Sequence, residues 1–443
     1  MRALTKLAAL ALLIAAPVLA GSSKAPPVSP GRLRADVAAL VSFGTRHTLS
    51  SPDDPKRGIG AARRWAEAEF RKTSAACGGC LELALPETVV TGERLPRPAK
   101  IIDVVAIQRG TQRPNEVVIV QGHIDSRVSD VMNAVADAPG ANDDGSGTAL
   151  VLEAARVLSQ RKYPVTIVYA ILSGEEQGLF GGKLLAEYAK AQGWTVKAVL
   201  NNDIVGNTRG SDGLVDNAHV RVFSEGPRAD ADEALRGAAR RFGGENDSPS
   251  RNLSRYAAGL AGPGAGGLAV RQVWRADRMG RGGDHLPFQD MGVPAIRFSV
   301  AVENYDHQHQ DLRRDRGVDY GDKIEFMDFA YLAKVTRLNV AVLDRLARSP
   351  LPPAVSVEAA VQTFTMLKWS ASPGAAGYNL WQRRTDANGW TKVRRVAGTV
   401  HELTLPGVRG DDWFFGVSAV AADGAESPVA SGVPGGLFVR PVR

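Results

Sequence analysis

The chain predicts an α/β fold, a mainly parallel but mixed sheet flanked by helices, followed by a small C-terminal β-sandwich. Three observations point there. From about residue 100, apolar runs of strand length alternate with helical stretches; a proline-rich segment, "RSPLPP", interrupts the chain near residue 350; and beyond it amphipathic helices give way to short alternating runs. Strand–helix alternation builds parallel sheets, whereas short strands between turn residues suit a sandwich.

The first twenty residues carry Arg2 and Lys6, the apolar core "LAALALLIAAP" and small residues at Val18-Leu19-Ala20. This is the pattern of an export signal, and its apolar stretch is too short for a membrane span. The mature protein is therefore expected in the periplasm or outside the cell, without stable membrane insertion. Next, "RLRADVAALVSF" and "IGAARRWAEAEFRK" place apolar residues at helical spacing. "IIDVVAIQ", "EVVIVQG", "TIVYAIL", "KAVLNND" and "VPAIRFS" read as strands, with "TALVLEAARVLSQ" and "GGKLLAEYAKAQG" as helices among them. The helix "FMDFAYLAKVTRLNVAVLDRLA" closes a first domain, residues 21–349, and residues 352–443 make the second through "TMLKWSAS", "GYNLWQRR", "HELTLPGV" and "WFFGVSAVA".

Composition narrows the function. With 44% hydrophobic and 23% charged residues over 443 positions, the chain can bury more than one core. Its formal excess of +7 is scattered and not interleaved with aromatics, so no nucleic-acid surface is expected. The only cysteines, Cys77 and Cys80, could supply half a zinc site, but no second pair completes it. In an exported chain a short-loop disulfide with a local role is expected instead.

In open α/β sheets the ligand site lies off the carboxyl ends of the strands. There "EVVIVQG" leads into His123 and Asp125, "TIVYAIL" into Glu175 and Glu176, "KAVLNN" into Asp203, and "VPAIRFSV" toward Glu303 and "NYDHQHQD". Asp143 and Asp144 sit between glycines where the helix after the first strand opens, at the end whose dipole favours an anion. Each residue alone has an ordinary explanation, such as a helix cap or a solvated acid. Their convergence on one sheet edge points to a divalent-metal centre, since imidazole with carboxylate suits zinc. Asp143, Glu176 and Asp203 bring three negative charges against four from two such ions, and a bridging hydroxide would balance the last. Asp143 would then turn inward to bridge the ions, while Asp144 stays in the hydrogen bonding of the helix start.

The order of these motifs, with "GTRHTLS", "GIGAARRW", "NDDGSG" and "GDHLPF", resembles the secreted bacterial leucyl aminopeptidases, di-zinc exopeptidases related to glutaminyl cyclases and glutamate carboxypeptidase, over residues 30–348. The resemblance implies two zinc ions: His123 and Asp203 on one, Glu176 and a C-terminal histidine on the other, Asp143 bridging. It further implies that Glu175 is the general base for a water activated by the two metals, that Asp125 orients His123, and that Asp284 and His285 support the centre from behind. Two readings of the last ligand stand. The spacing His-x-x-x-Asp favours His307 with Asp311, whereas the run from Glu303 to His309 resembles the family and favours His309, which we adopt. Residues 352–443 resemble a fibronectin type III domain through Leu367-Lys-Trp369, Gly377-Tyr378 and "VSAVAADGAES", with Trp413 or Phe415 at the usual tyrosine position.

The expected activity is a monomeric aminopeptidase acting on peptides with a free N-terminus. A glutaminyl cyclase on the same scaffold and a non-catalytic binding ectodomain are the alternatives. No His-Glu-x-x-His or Gly-x-Ser-x-Gly motif competes, and "GPGAGG" neither follows a strand nor opens a βαβ unit. The surrounding insertion, "SRNLSRYAAGLAGPGAGG", is expected to help shape the substrate pocket, and the C-terminal domain to be an accessory that the catalytic part can lose.

Overall fold

The structure, a computed structural model, describes residues 27–438, so the expected export signal lies outside the described residues. Two helices open it, α1 (Pro30–Ser42) and α2 (Gly58–Ala76), where the apolar spacing places them. A short strand β1 (Glu82–Ala84) and the hairpin β2 (Glu87–Gly92) and β3 (Leu95–Ile102) lead to β4 (Val104–Gln108) and β5 (Arg113–His123). Then follow α3 (Gly145–Leu158), β6 (Val165–Leu172), α4 (Phe180–Ala191) and β7 (Thr195–Asn202). Beyond them lie β8 (His219–Phe223), α5 (Glu233–Phe242), α6 (Pro249–Leu260), β9 (Ala269–Val273), α7 (Leu286–Asp290) and β10 (Ala295–Val300). A small hairpin, β11 (Arg313–Asp315) and β12 (Val318–Tyr320), precedes the long helix α8 (Phe329–Arg348).

The main sheet has eight strands in the order β1-β4-β6-β5-β7-β10-β8-β9. β6, β5, β7 and β10 run parallel, while β1, β4 and β8 pair antiparallel with their inner neighbours. Every residue of β6 and β10 is buried, as strands covered on both faces require. One apolar core joins α1, α3 and α8 to the sheet through residues such as Leu40, Leu152 and Leu338; a second lies under α4 and α7 around Leu185 and Phe288. The chain reverses direction across the sheet at β5, which carries β6 on one side and β7 on the other. That is the topological switch point where a ligand crevice forms.

Gly147 lets α3 approach the sheet there. A Cβ at this position would lie 2.1 Å from the Asn202 carbonyl and 2.4 Å from the Asp144 carboxylate. No side chain fits.

After α8, the chain forms β13 (Val355–Glu358), β14 (Phe364–Trp369), β15 (Gly377–Arg384), β16 (Thr391–Ala397), β17 (Glu402–Pro406), β18 (Trp413–Val420) and β19 (Ala430–Ser431). They make a three-stranded sheet, β13-β14-β17, and a four-stranded one, β16-β15-β18-β19. Leu367 and Trp369 of the first share a core with Tyr378, Phe415 and Val417 of the second. Phe415 is buried and Trp413 half-buried.

One expectation changes. The 250–267 insertion does not line the cavity over the site: α6 turns to the C-terminal sheets, where Arg255 donates to the Asn388 carbonyl, Tyr256 to that of Glu426, and Asn252 accepts from Trp390. Its arginine, asparagine and tyrosine side chains satisfy polar groups at this junction instead. The C-terminal part is joined to the rest by an ion pair between Asp247 and Arg383, whose side chains are 1% and 2% exposed. Among the described residues, none beyond His309 lines the cavity. Cys77 and Cys80 are joined as a disulfide at the end of α2.

Candidate metal centre

Four loops leaving the carboxyl ends of β5, β6, β7 and β10 bring the site together. β5 ends on His123, whose backbone N–H donates to Asp144 Oδ2 at 3.0 Å. Asp144 also caps α3 by accepting from Gly147 N at 2.9 Å, and it accepts from Ile204 N at 3.3 Å. Both of its oxygens are thus held by backbone donors. Asp143 is free to turn the other way, which resolves the pairing of two acids in one turn. The backbone N–H groups of Asn142 and Asp143 donate to Asp322, a buried carboxyl that burial pushes up to about 7.

Asp143 presents one oxygen to each of two histidines. Oδ1 lies 3.2 Å from His123 Nε2, and Oδ2 lies 2.8 Å from His309 Nε2. Asp203 Oδ1 is 3.9 Å from the same His123 nitrogen, and Glu176 Oε1 is 3.1 Å from that of His309. Two donor clusters result, His123–Asp143–Asp203 and Asp143–Glu176–His309, each with ligand atoms within 4.8 Å of one another. Asp143 belongs to both.

The donors fit metal ions for a further reason. His123 Nε2, Glu176 Oε1 and Asp203 Oδ1 are buried and make no hydrogen bond among the described residues, and all three belong to the clusters. Orphaned polar atoms in such number are costly unless something binds them. Burial opposes charge on His309, yet the Glu176 and Asp143 carboxylates outweigh it and hold the imidazolium up to about 9. A nitrogen set between two carboxylates is a place where a divalent cation would compete with a proton. The clusters are compatible with two zinc ions.

Around them, Asp125 lies 3.5 Å from His123 Nδ1 through Oδ1, while its carboxylate accepts from the N–H groups of Glu175 and Glu176 at 3.3 and 3.1 Å. One buried acid therefore positions both the histidine and the paired glutamates. Glu175 points into the cavity, where burial pushes its carboxyl well above the ordinary range against the pull of His123. In "GTRHTLS", Arg46 is wholly buried and staples the carbonyls of Ile124, Pro139 and Gly140, and Thr48 donates to Gln177 beside the glutamates. Asp284 accepts from Gly182 N at 3.1 Å, fixing the start of α4, and His285 bonds the Ala276 carbonyl at 2.8 Å.

His307 is not brought to the clusters. Its ring stacks on Phe326 at 3.7 Å, and the backbone at His309, with φ of 56°, turns the chain so that the later histidine enters the site. Strand-end reasoning also missed the arginines. Arg127 donates to Glu176 Oε2 at 2.9 Å, and its Nη2 lies 2.6 Å from His309 Nδ1; Arg297, fully buried, lies 2.8 Å from Asp203 Oδ2. Arg297 could have been noticed as a charge inside the apolar run "VPAIRFS", since a buried arginine requires a carboxylate partner.

Fold and site together define a metal-dependent hydrolase. The sequence relatives agree: residues 103–317 match Peptidase family M28. A probable zinc metalloprotease of Leptosphaeria maculans is 43% identical over 413 residues, 92% of this chain and 95% of that protein, and one of Pyricularia oryzae is 43% identical over 420 residues, 92% and 83%. The chain belongs to this family of M28-type zinc metalloproteases. Matches over 92% of the chain extend into the C-terminal sheets, so the relatives share that region too. Among solved structures, the Legionella pneumophila LapA aminopeptidase superposes with a TM-score of 0.52 at 20% identity, covering 72% of this chain and 70% of its own. That likeness concerns the fold.

Proposed function

We propose that the protein is a zinc-dependent aminopeptidase that removes N-terminal residues from peptides. The observation that carries this reading is the shared Asp143, one oxygen toward each cluster, beneath a cavity into which Glu175 points. His123 and Asp203 would hold one zinc, Glu176 and His309 the other, and Asp143 both. Bound there, two zinc ions supply electrostatic polarisation of the scissile carbonyl and make water easier to deprotonate. Glu175, which lines the cavity, takes a proton from the attacking water and delivers it to the leaving amine. Asp125 positions the base by holding its backbone N–H, and fixes the orientation of His123.

Completeness of both clusters favours hydrolysis over glutaminyl cyclase chemistry or a binding-only ectodomain, because every position of a two-ion site carries a competent donor. In the same reading the chain is exported and acts as a monomer, with its two C-terminal sheets forming a fibronectin type III-like sandwich. A panel of aminoacyl amides with free and acylated amines, assayed on zinc-loaded protein, tests the activity. Cleavage confined to free-amine substrates is expected; equal cleavage of blocked ones would remove the aminopeptidase reading.

A further inference from the structure

A cavity of about 400 Å³ lies over the clusters, a size suited to a small ligand. Its lining carries four arginines beside the carboxylates of Asp143, Glu175, Glu176 and Asp203. Arg94, Arg127, Arg278 and Arg281 line it, and Leu179 is the single apolar side chain among the described lining residues other than glycine. A leucine-like side chain would find little to pack against. Arg94 reaches in from the turn between β2 and β3 and donates to the Glu176 carbonyl at 3.0 Å.

Next to Asp203, the lining residues Arg278 and Arg281 and two further arginines, Arg221 and Arg297, share three carboxylates. Glu303 faces Arg221 at 2.5 Å, Arg281 at 2.8 Å and Arg278 at 3.5 Å; Asp277 pairs with Arg278 and Arg297, both at 3.0 Å; Asp203 pairs with Arg297. Arg278 is over nine-tenths buried, and its Nη1 makes no hydrogen bond. If Asp203 engages a divalent ion, less of its charge remains for these arginines. Such a wall is short of one anion, and a carboxylate is the shape a guanidinium pair accepts best.

We propose that Arg278 and Arg281 form a subsite for a carboxylate of the substrate, so that the enzyme prefers anionic over neutral small peptides. The inference rests on the hydrolase reading above and names its substrate class. The carboxylate has two sources, an acidic side chain on the residue bearing the free amine or the terminal carboxylate of a dipeptide.

The test compares kcat/KM within two pairs, glutamyl amide against glutaminyl amide and leucyl-leucine against its C-terminal amide, for wild type, Arg281→Gln and Arg281→Lys. Wild type should favour the anionic member of one pair at least tenfold, a ratio that falls below threefold in Arg281→Gln and is partly kept in Arg281→Lys. The first pair responding assigns the side chain; the second assigns the terminal carboxylate. Ratios near one for both pairs in wild type, or an unchanged ratio in Arg281→Gln, overturn the subsite and leave the hydrolase reading standing. If zinc-loaded protein cleaves nothing, that reading fails, and calorimetric binding of the same pairs decides the subsite alone: at least tenfold tighter binding of one anionic member supports it, and equal binding overturns it.

Discussion

Asp247 holds the two halves of the chain together, and its removal should be among the costliest single substitutions away from the metal centre. Its carboxylate is 1% exposed and pairs with Arg383 of β15 and, at 3.2 Å, with Arg255 of α6, themselves 2% and 7% exposed. Arg383 also lies over the rings of Trp390 and Phe414, 5.2 and 4.7 Å from their centroids. Asp247→Ala leaves two buried guanidiniums without a counter-charge, a loss of about 3–5 kcal/mol. Arg383→Met leaves Asp247 paired with Arg255 and no buried charge alone; it removes the bonds to Asp247 and the Ala387 carbonyl but keeps an apolar side chain against Trp390 and Phe414, so it should cost less. The asymmetry is the test. Urea unfolding followed by circular dichroism should show the aspartate variant clearly less stable than the arginine variant. Values within about 0.5 kcal/mol of wild type, the range of ordinary surface substitutions, would refute the reasoning. By the same contacts, a chain ending near Ser349 should retain its cavity residues yet unfold more readily than the full chain.

Three further outcomes are expected. His309→Ala should abolish turnover and lower zinc content, whereas His307→Ala should leave metal analysis unchanged; the reverse pattern would move the ligand back two residues. Glu175→Gln should keep zinc while lowering kcat by ~10²–10⁴-fold, and Glu176→Gln should weaken zinc binding as well, so a swap of these phenotypes in paired metal and rate assays would exchange the two roles. Burial pushes Glu225 from 4.5 up to about 7, which favours its protonated form in the folded chain. Its stabilising contribution is full below pH 4.5 and lost as pH rises through 7. Glu225→Gln should therefore gain on wild type by up to about 3 kcal/mol between those values and stay level above them, as thermal melts across pH would show. A gain that shrinks with rising pH would contradict the sign.

Much of this was legible because metal ligands at strand ends follow the backbone. His123, Glu176 and Asp203 each leave a buried apolar run, so finding the strands located the donors. That only one of Asp143 and Asp144 should face the ions followed from charge, whereas the choice of Asp143 came with the family resemblance. What escaped depends on long-range pairing or on side-chain reach. β8 and the edge strand β9 are short, their partners lie far along the chain, and the antiparallel pairing of β8 with β10 has no local signature. Asp322 serves the site from 179 residues beyond Asp143, through backbone donors that no motif marks. Arginine side chains are long and common on surfaces, so Arg94, Arg278 and Arg281 read as scattered charge until the fold gathered them. Arg127, two residues past Asp125, was within reach of a longer look at the same loop.

Zinc stoichiometry with and without Asp143 tests the central claim most directly. Protein stripped with a chelator and titrated with Zn²⁺ should take up two ions per chain and regain hydrolysis of free-amine substrates as it does so. Asp143→Ala, which removes a donor from both clusters, should weaken both binding events together. Full activity in the stripped protein, or an Asp143→Ala variant that still binds two ions as tightly as wild type, would contradict the two-ion centre.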